Sequence, residues 1–220
     1  MFLANVMVYV DPQQQDEGQI RVAEGIADKF HASMIGVSAS AIDPPFVAEG
    51  VIIEQTTEDD VRRMRADLAA KGEWFGKITG RERHKLEWRW ALESPTAFLA
   101  EQARAADLVV FKRRKAQSYN FHYLDSAEAI LRMGRPTLSV PEGVTGLSAD
   151  LERHSVNCQF DVRVHTAEPD AGYLVRLAKS EGADLIVTGG YGHSRLGEWM
   201  FGGMTRGLLQ QAPICLLMSH

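Results

Sequence analysis

A glycine-rich segment near the carboxyl end of the chain has residue types and a spacing that suit an anion. Glycines stand at positions 189, 192, 202 and 203, which is a G-x-x-G pattern, nine residues, and then a glycine pair. The segment follows the apolar run 185–187 and precedes a predicted helix. Because glycines lack side chains, the backbone amides of such a loop can approach a phosphate closely. A helix that begins near Gly203 adds free amide donors and the positive end of its dipole.

The candidate phosphate contacts are the glycines of this loop and two polar residues between them: Gly189, Gly190, Gly192, His193, Ser194, Gly202 and Gly203. His193 could bond a phosphate or carry a proton. No carboxylate or nucleophile stands at motif spacing, so we assign no catalytic residue. The loop lacks the Gly-Lys-Ser/Thr of a Walker loop and the G-x-G-x-x-G of a dinucleotide site. The alternative is a tight turn whose glycines serve backbone shape alone.

Composition and charge argue against several classes of function. The chain has 220 residues, of which 45% are hydrophobic and 24% charged, as in ordinary globular proteins. A net charge of −5 argues against a nucleic-acid partner, and no apolar run approaches the roughly 20 residues of a membrane helix. The amino terminus has no basic region before its apolar stretch, and the two cysteines and the scattered histidines form no metal pattern. We therefore expect a cytoplasmic protein without a membrane or metal partner.

Apolar periodicity predicts strands that alternate with helices. The strands are predicted at 5–10, 32–37, 86–90, 108–111 and 137–140, and the helices at 16–30, 57–77, 95–105 and 125–133. Thr56 or Thr57 is predicted to cap the second helix. Strands separated by helix-length segments require crossover connections, so the predicted fold class is α/β with a parallel sheet. Trp88 and Trp90 alternate with charged residues and are predicted to lie in the core or in an interface.

The chain also repeats one β/α unit. Residues 183–187 repeat residues 106–110 at an offset of 77, and the same offset pairs Leu131 with Leu208 and Pro136 with Pro213. Residues 160–164 repeat 86–90 at an offset of 74. We therefore predict a first unit at residues 1–143 and a second unit at residues 147–220. The second is about 64 residues shorter and lacks its first strands and helix, through a natural deletion or because a segment near 144–146 is missing from the printed sequence.

The segment from Asp184 to Met218 resembles the carboxyl-terminal part of a universal stress protein domain. ATP-binding members of that family carry G-x-x-G, nine residues, and then Gly followed by Ser or Thr. The sequence of residues 190–195 is also typical of the family. The resemblance implies two Rossmann-like units in tandem (adenine nucleotide alpha hydrolase-like), the second incomplete. It implies a stress-response module that binds ATP, with Mg²⁺, as a regulator on the glycine loop and is not an enzyme. The alternative is a nucleotide-free scaffold that dimerises or binds other proteins.

The chain departs from the family pattern at three places. Gly203 stands where ATP-binding members have a hydroxyl residue, although Thr205 is nearby. The aspartate that ends the first strand in the family has a counterpart only in the first unit, as Asp11. The first unit also places side chains where the second unit has glycines, and we expect them to fill a phosphate pocket: Lys112, Lys115, Asp125 and Ser126.

The remaining expectations concern the last strands and the charged runs. In the resembled family the last strands of two domains pair antiparallel, so 137–140 and 214–217 are predicted to pair, either within the chain as a pseudo-dimer or between two chains as a homodimer. The basic run 112–115 is predicted to be a solvated loop, and the run 62–65 a solvated helix face. Asp11 is predicted to cap a turn.

Overall fold

The computed structural model describes residues 3–14, 17–48, 51–53, 56–80, 85–113, 120–145, 171–189 and 203–219. The strands in that part of the chain are β1 (Asn5–Tyr9), β2 (Ser33–Ala39), β3 (Phe46–Ala48), β4 (Val51–Ile53), β5 (Leu86–Ala91), β6 (Leu108–Lys112), β7 (Thr137–Val140), β8 (Leu185–Gly189) and β9 (Cys215–Ser219). The helices are α1 (Gly18–Phe30), α2 (Glu58–Thr79), α3 (Pro95–Gln102), α4 (Ser126–Met133), α5 (Ala171–Ser180) and α6 (Gly203–Gln211).

Seven of these strands form one sheet in the order β5-β2-β1-β6-β7-β9-β8. Every neighbouring pair is parallel except β7 and β9, which are antiparallel. Side chains of successive strand residues alternate between the two faces. In β1, Val6 and Val8 belong to the core cluster that includes residues of α1 and α2, whereas Met7 and Tyr9 belong to the cluster that includes residues of α3, α4, α5 and α6. The predicted α/β class with a parallel sheet is confirmed.

The repeat seen in the sequence recurs in the elements. Strands β6 and β8 begin at Leu108 and Leu185, and helices α4 and α6 begin at Ser126 and Gly203, so both pairs keep the offset of 77. The strand predicted at 160–164 lies outside the described residues. The bounds of the two units, 1–143 and 147–220, stay a prediction.

The last strands of the two units pair with each other within the chain. Thr137 faces Met218, and Leu138 faces Leu217, which confirms the predicted antiparallel pairing. Strand β7 has β6 as its other neighbour, and β9 has β8. Neither last strand therefore has an edge left for pairing with a second chain.

Two local features show how closely the sequence specifies its elements. Thr57 caps α2 as one of the two predicted candidates: its hydroxyl accepts from the backbone amide of Asp60, and the Asp60 carboxylate accepts from the amide of Thr57. The hairpin of β3 and β4 was not predicted, because strands of three residues are too short to show a period of two.

No helix among the described residues is both long enough and apolar enough to cross a membrane.

Candidate functional site

The described part of the glycine loop consists of its two ends. Gly189 is the last residue of β8, where it is exposed and faces Ser219 of β9, and Gly203 is the first residue of α6. The other predicted contacts, which are Gly190, Gly192, His193, Ser194 and Gly202, lie outside the described residues. The loop therefore leaves the carboxyl end of a strand in a parallel pair and leads into a helix N-terminus. This edge is where ligands bind in open α/β sheets.

The equivalent loop of the first unit already contains an acceptor. Asp125 is the N-cap of α4, and its carboxylate accepts hydrogen bonds from the amides of Ala127 and Glu128, each at 3.0 Å. These helix-terminal amides are the donors that would face a phosphate. At the matching position of the second unit stands Gly202, which has no side chain. The Asp125 carboxylate therefore caps the first-unit helix, whereas the residue before α6 is a glycine.

Two further contacts involve the segment that follows β1, at the carboxyl edge of the sheet in the first unit. Asp11 follows β1 and accepts from the Gln13 amide at 2.9 Å, so the predicted turn cap is confirmed. From α2, the buried Lys71 ammonium donates to the Gln14 carbonyl at 3.0 Å and lies 5.0 Å from the Trp74 ring centroid. Burial lowers the pKa of Lys71, and the charge of Asp11 opposes that shift. Sequence reasoning missed Lys71 because it stands in a highly charged helix.

Arg113 corrects the prediction that the basic run 112–115 is a solvated loop. Its side chain is buried, and its guanidinium donates to Ser139 Oγ at 3.1 Å, to the Ser139 carbonyl at 3.2 Å and to the Ile214 carbonyl at 3.0 Å. It also donates to the Ala212 carbonyl at the end of α6. Burial lowers the pKa of Arg113 to about 10, so the group is charged at neutral pH. The residue joins the end of β6 to the segment between α6 and β9.

Lys112 is also largely buried, with 18% of its side chain exposed, and its ammonium lies 4.0 Å from the Glu142 carboxylate. Lys115 lies outside the described residues. The run 62–65 behaves as predicted: Arg62 and Arg63 are about three-quarters exposed and pair with acids one turn earlier. Among the described residues, no three His, Cys, Asp or Glu side chains are arranged to hold a metal ion.

The two tryptophans of β5 differ in environment. The Trp88 indole N–H donates to the Leu68 carbonyl at 3.2 Å, and its ring packs against Phe75, with 5.5 Å between the ring centroids. Trp90 is 38% exposed. Trp88 is therefore a partly buried packing residue of the sheet's α2 face, and Trp90 is not enclosed by the described residues.

Fold and site together define a class: an α/β protein with a mostly parallel sheet, in which a glycine-bordered loop joins a strand's carboxyl end to a helix. Residues 145–220 match the universal stress protein family. The matched residues contain the glycine loop and the last strand. Comparison with the curated proteins found no match.

Three solved structures are similar to this chain to different degrees. A functionally unknown protein from Pseudomonas aeruginosa PAO1 is 13% identical, with 99% of this chain and 92% of that chain covered and a TM-score of 0.61. A universal stress protein from Lactobacillus plantarum is 13% identical over 63% of this chain and 96% of its own, with a TM-score of 0.46. The universal stress protein from Archaeoglobus fulgidus in complex with dAMP is 18% identical over 63% of this chain and 98% of its own, with a TM-score of 0.41. The first of these likenesses supports the architecture along nearly the whole chain.

Proposed function

We propose that the chain is a cytoplasmic stress-response protein that binds one adenine nucleotide, ATP with Mg²⁺, at the glycine loop of its second unit. The contacts are those predicted from the sequence: Gly189, Gly190, Gly192, His193, Ser194, Gly202 and Gly203. The nucleotide acts as a regulator that stabilises one state of the protein, and it is not turned over as a substrate. The match of residues 145–220 to the universal stress protein family supports the choice of an adenine nucleotide.

The observation that carries this proposal is the contrast between the two helix N-termini. In the first unit the Asp125 carboxylate occupies the amides of α4. In the second unit α6 begins at Gly203, and the residue before it is also a glycine. A carboxylate fixed at a helix start repels a phosphate and uses its donors, whereas a glycine pair leaves the amides free to bind one.

Thermal unfolding with and without ATP and Mg²⁺ tests the proposal. A ligand at 100 times its Kd that binds only the folded state stabilises it by about 2.7 kcal/mol, which raises the Tm of a chain of this size by roughly 5–10 °C. Gly192→Leu should abolish the rise, because the new side chain blocks the approach of a phosphate to the backbone. Gly25→Leu, at an exposed glycine of α1 with no atom within 4 Å of an added Cβ, should keep it.

A nucleotide-free scaffold is the second candidate, and one observation favours it. Gly203 lacks the hydroxyl that ATP-binding members of the family offer at this position. If the wild-type chain shows no rise in Tm, and calorimetric titration with ATP shows no heat of binding, the scaffold replaces the nucleotide-binding proposal.

A further inference from the structure

On the side of the first unit, the described part of the sheet ends at a strand that pairs on one side only. Among the described strands, β5 has β2 as its single neighbour, with Leu86 opposite Met34 and Trp90 opposite Ser38. The last strands of the two units, β7 and β9, each pair with strands of the same chain on both sides. An unpaired edge presents a row of amides and carbonyls on which another strand can add. Among the strands that the structure describes, β5 is therefore the edge that the first unit offers.

The side chains of β5 form two sets, one on each face of the sheet. Leu86, Trp88 and Trp90 lie on the face covered by α2, and Trp90 remains 38% exposed. Glu87 and Arg89 lie on the other face, where Arg89 donates to Glu87 at 2.8 and 2.9 Å. Both charges are accessible, with 54% of the Glu87 side chain and 27% of the Arg89 side chain exposed. The edge thus offers an apolar row and a row of alternating charge.

This charge order is self-complementary about Trp88. When two copies of β5 are placed antiparallel with Trp88 opposite Trp88 on a two-fold axis, Glu87 of each copy lies opposite Arg89 of the other. The same register sets Trp90 opposite Leu86 on the apolar face. Opposite charges and aromatic–aliphatic pairs that face each other directly stabilise paired strands. A two-fold axis also makes every such contact occur twice.

Shifting this register by two residues removes the match. With Glu87 opposite Glu87, or Arg89 opposite Arg89, like charges face each other across the axis and repel. The alternation therefore selects one register and one partner, a strand with the same sequence. At the opposite end of the sheet, β8 carries no charged residue that selects a register or a partner.

We propose that the chain forms a two-fold homodimer by antiparallel pairing of β5 with β5 of a second copy, centred on Trp88, with Glu87 and Arg89 exchanging partners across the axis. The interface is distinct from the β7–β9 pairing within the chain. It continues the seven-stranded sheet of one copy into that of the other. Trp90 is covered by Leu86 of the second copy.

Sedimentation of the full chain tests the proposal. The wild type should sediment as a particle of twice the 24.4 kDa chain mass. Glu87→Arg should dissociate the dimer, since both positions flanking the axis are then basic, and the double exchange Glu87→Arg with Arg89→Glu should restore it. Glu128→Arg is the matched control, because Glu128 also pairs with an arginine, Arg132, but lies on α4. A monomeric wild type, or a dimer that withstands Glu87→Arg, overturns the proposal.

A cross-linking experiment reports on the register without relying on charge reversal. Glu87→Cys chains mixed with Arg89→Cys chains should form a disulfide-linked dimer under mild oxidation, because directly opposite Cβ atoms lie about 4.5–5.5 Å apart. Either variant alone, and the wild type, should give far less. Equal cross-linking in the mixed and the single samples would contradict the register.

Discussion

Replacing Arg113 should loosen the second unit from the first. The guanidinium binds the carbonyls of Ala212 and Ile214, which flank the turn from α6 into β9, and it holds them to Ser139 of β7. Arg113→Met keeps most of the side-chain length but removes every donor. The carbonyls then lose a charged partner in a buried place, where water replaces it poorly.

The expected cost follows from two opposing terms. Each hydrogen bond to a charged group contributes about 1.5–3 kcal/mol when one partner is removed, although such values do not add fully. Against this, the variant no longer buries a charge, which costs several kcal/mol in the wild type. We expect a net loss of about 2–4 kcal/mol in the free energy of unfolding. The free energy of unfolding of Arg113→Lys should lie between those of the wild type and Arg113→Met, because the lysine ammonium keeps the charge but lacks the planar, multiple donors of the guanidinium.

Urea unfolding measures the loss, and amide hydrogen exchange locates it. The amides of β9 should lose protection in Arg113→Met, while those of β1 and β2 keep it. The control is Arg132→Met, since Arg132 is 49% exposed and pairs with Glu128 at the surface, where a change within about 0.5 kcal/mol is expected. The reasoning fails if Arg113→Met is as stable as this control or if protection falls equally in all strands.

The remaining predictions concern stability and reactivity. Gly72→Ala should destabilise the protein by about 1–3 kcal/mol in urea unfolding, because the new Cβ meets the Trp88 ring at 2.5 Å. Gly25→Ala should stabilise the protein by about 0.4–1 kcal/mol, because its new Cβ meets no atom within 4 Å. Equal effects of the two substitutions would contradict the packing of Gly72 against Trp88. Thr57→Ala should cost about 1 kcal/mol through loss of the α2 cap. Hydrogen bonds from Thr57, and a further one from Arg63, lower the pKa of Asp60. The stability that the Asp60 carboxylate contributes is therefore present above the ordinary carboxyl pKa and is lost as the pH falls through the lowered pKa. When stability is measured across an acid titration, Asp60→Asn should differ from the wild type at neutral pH and converge on it in acid. Burial raises the pKa of the Cys215 thiol, so iodoacetamide at pH 8 should label it only after denaturation, as peptide mass mapping would show.

The elements that the sequence predicted are those with a strong local signal. Examples are the apolar run of β1, the cap of α2 at Thr56 or Thr57, and the repeat at an offset of 77. The antiparallel pairing of the last strands followed from a family resemblance combined with that repeat. The apolar run and the helix cap needed only neighbouring residues, whereas the strand pairing joins residues far apart along the chain and needed the resemblance.

Arg113 and Lys71 could not be predicted in this way. Each is a basic residue in a charged run, and local pattern assigns such residues to solvent. Their burial depends on carbonyls that lie 99 and 57 residues away along the chain, at Ala212 and Gln14. Only the assembled sheet brings those acceptors to the cations. The sequence showed that Asp125 stands where the second unit has Gly202, but the hydrogen bonds from Asp125 to α4 were visible only in the structure.

The stoichiometry of nucleotide binding tests the central claim most directly. Native mass spectrometry of the intact chain, titrated with ATP and Mg²⁺ to saturation, counts nucleotides per polypeptide. One ATP per chain is predicted, because we propose that the glycine loop of the second unit binds a phosphate, whereas Asp125 occupies the helix amides of the first unit. No bound ATP would contradict nucleotide binding, and two per chain would contradict the role assigned to Asp125.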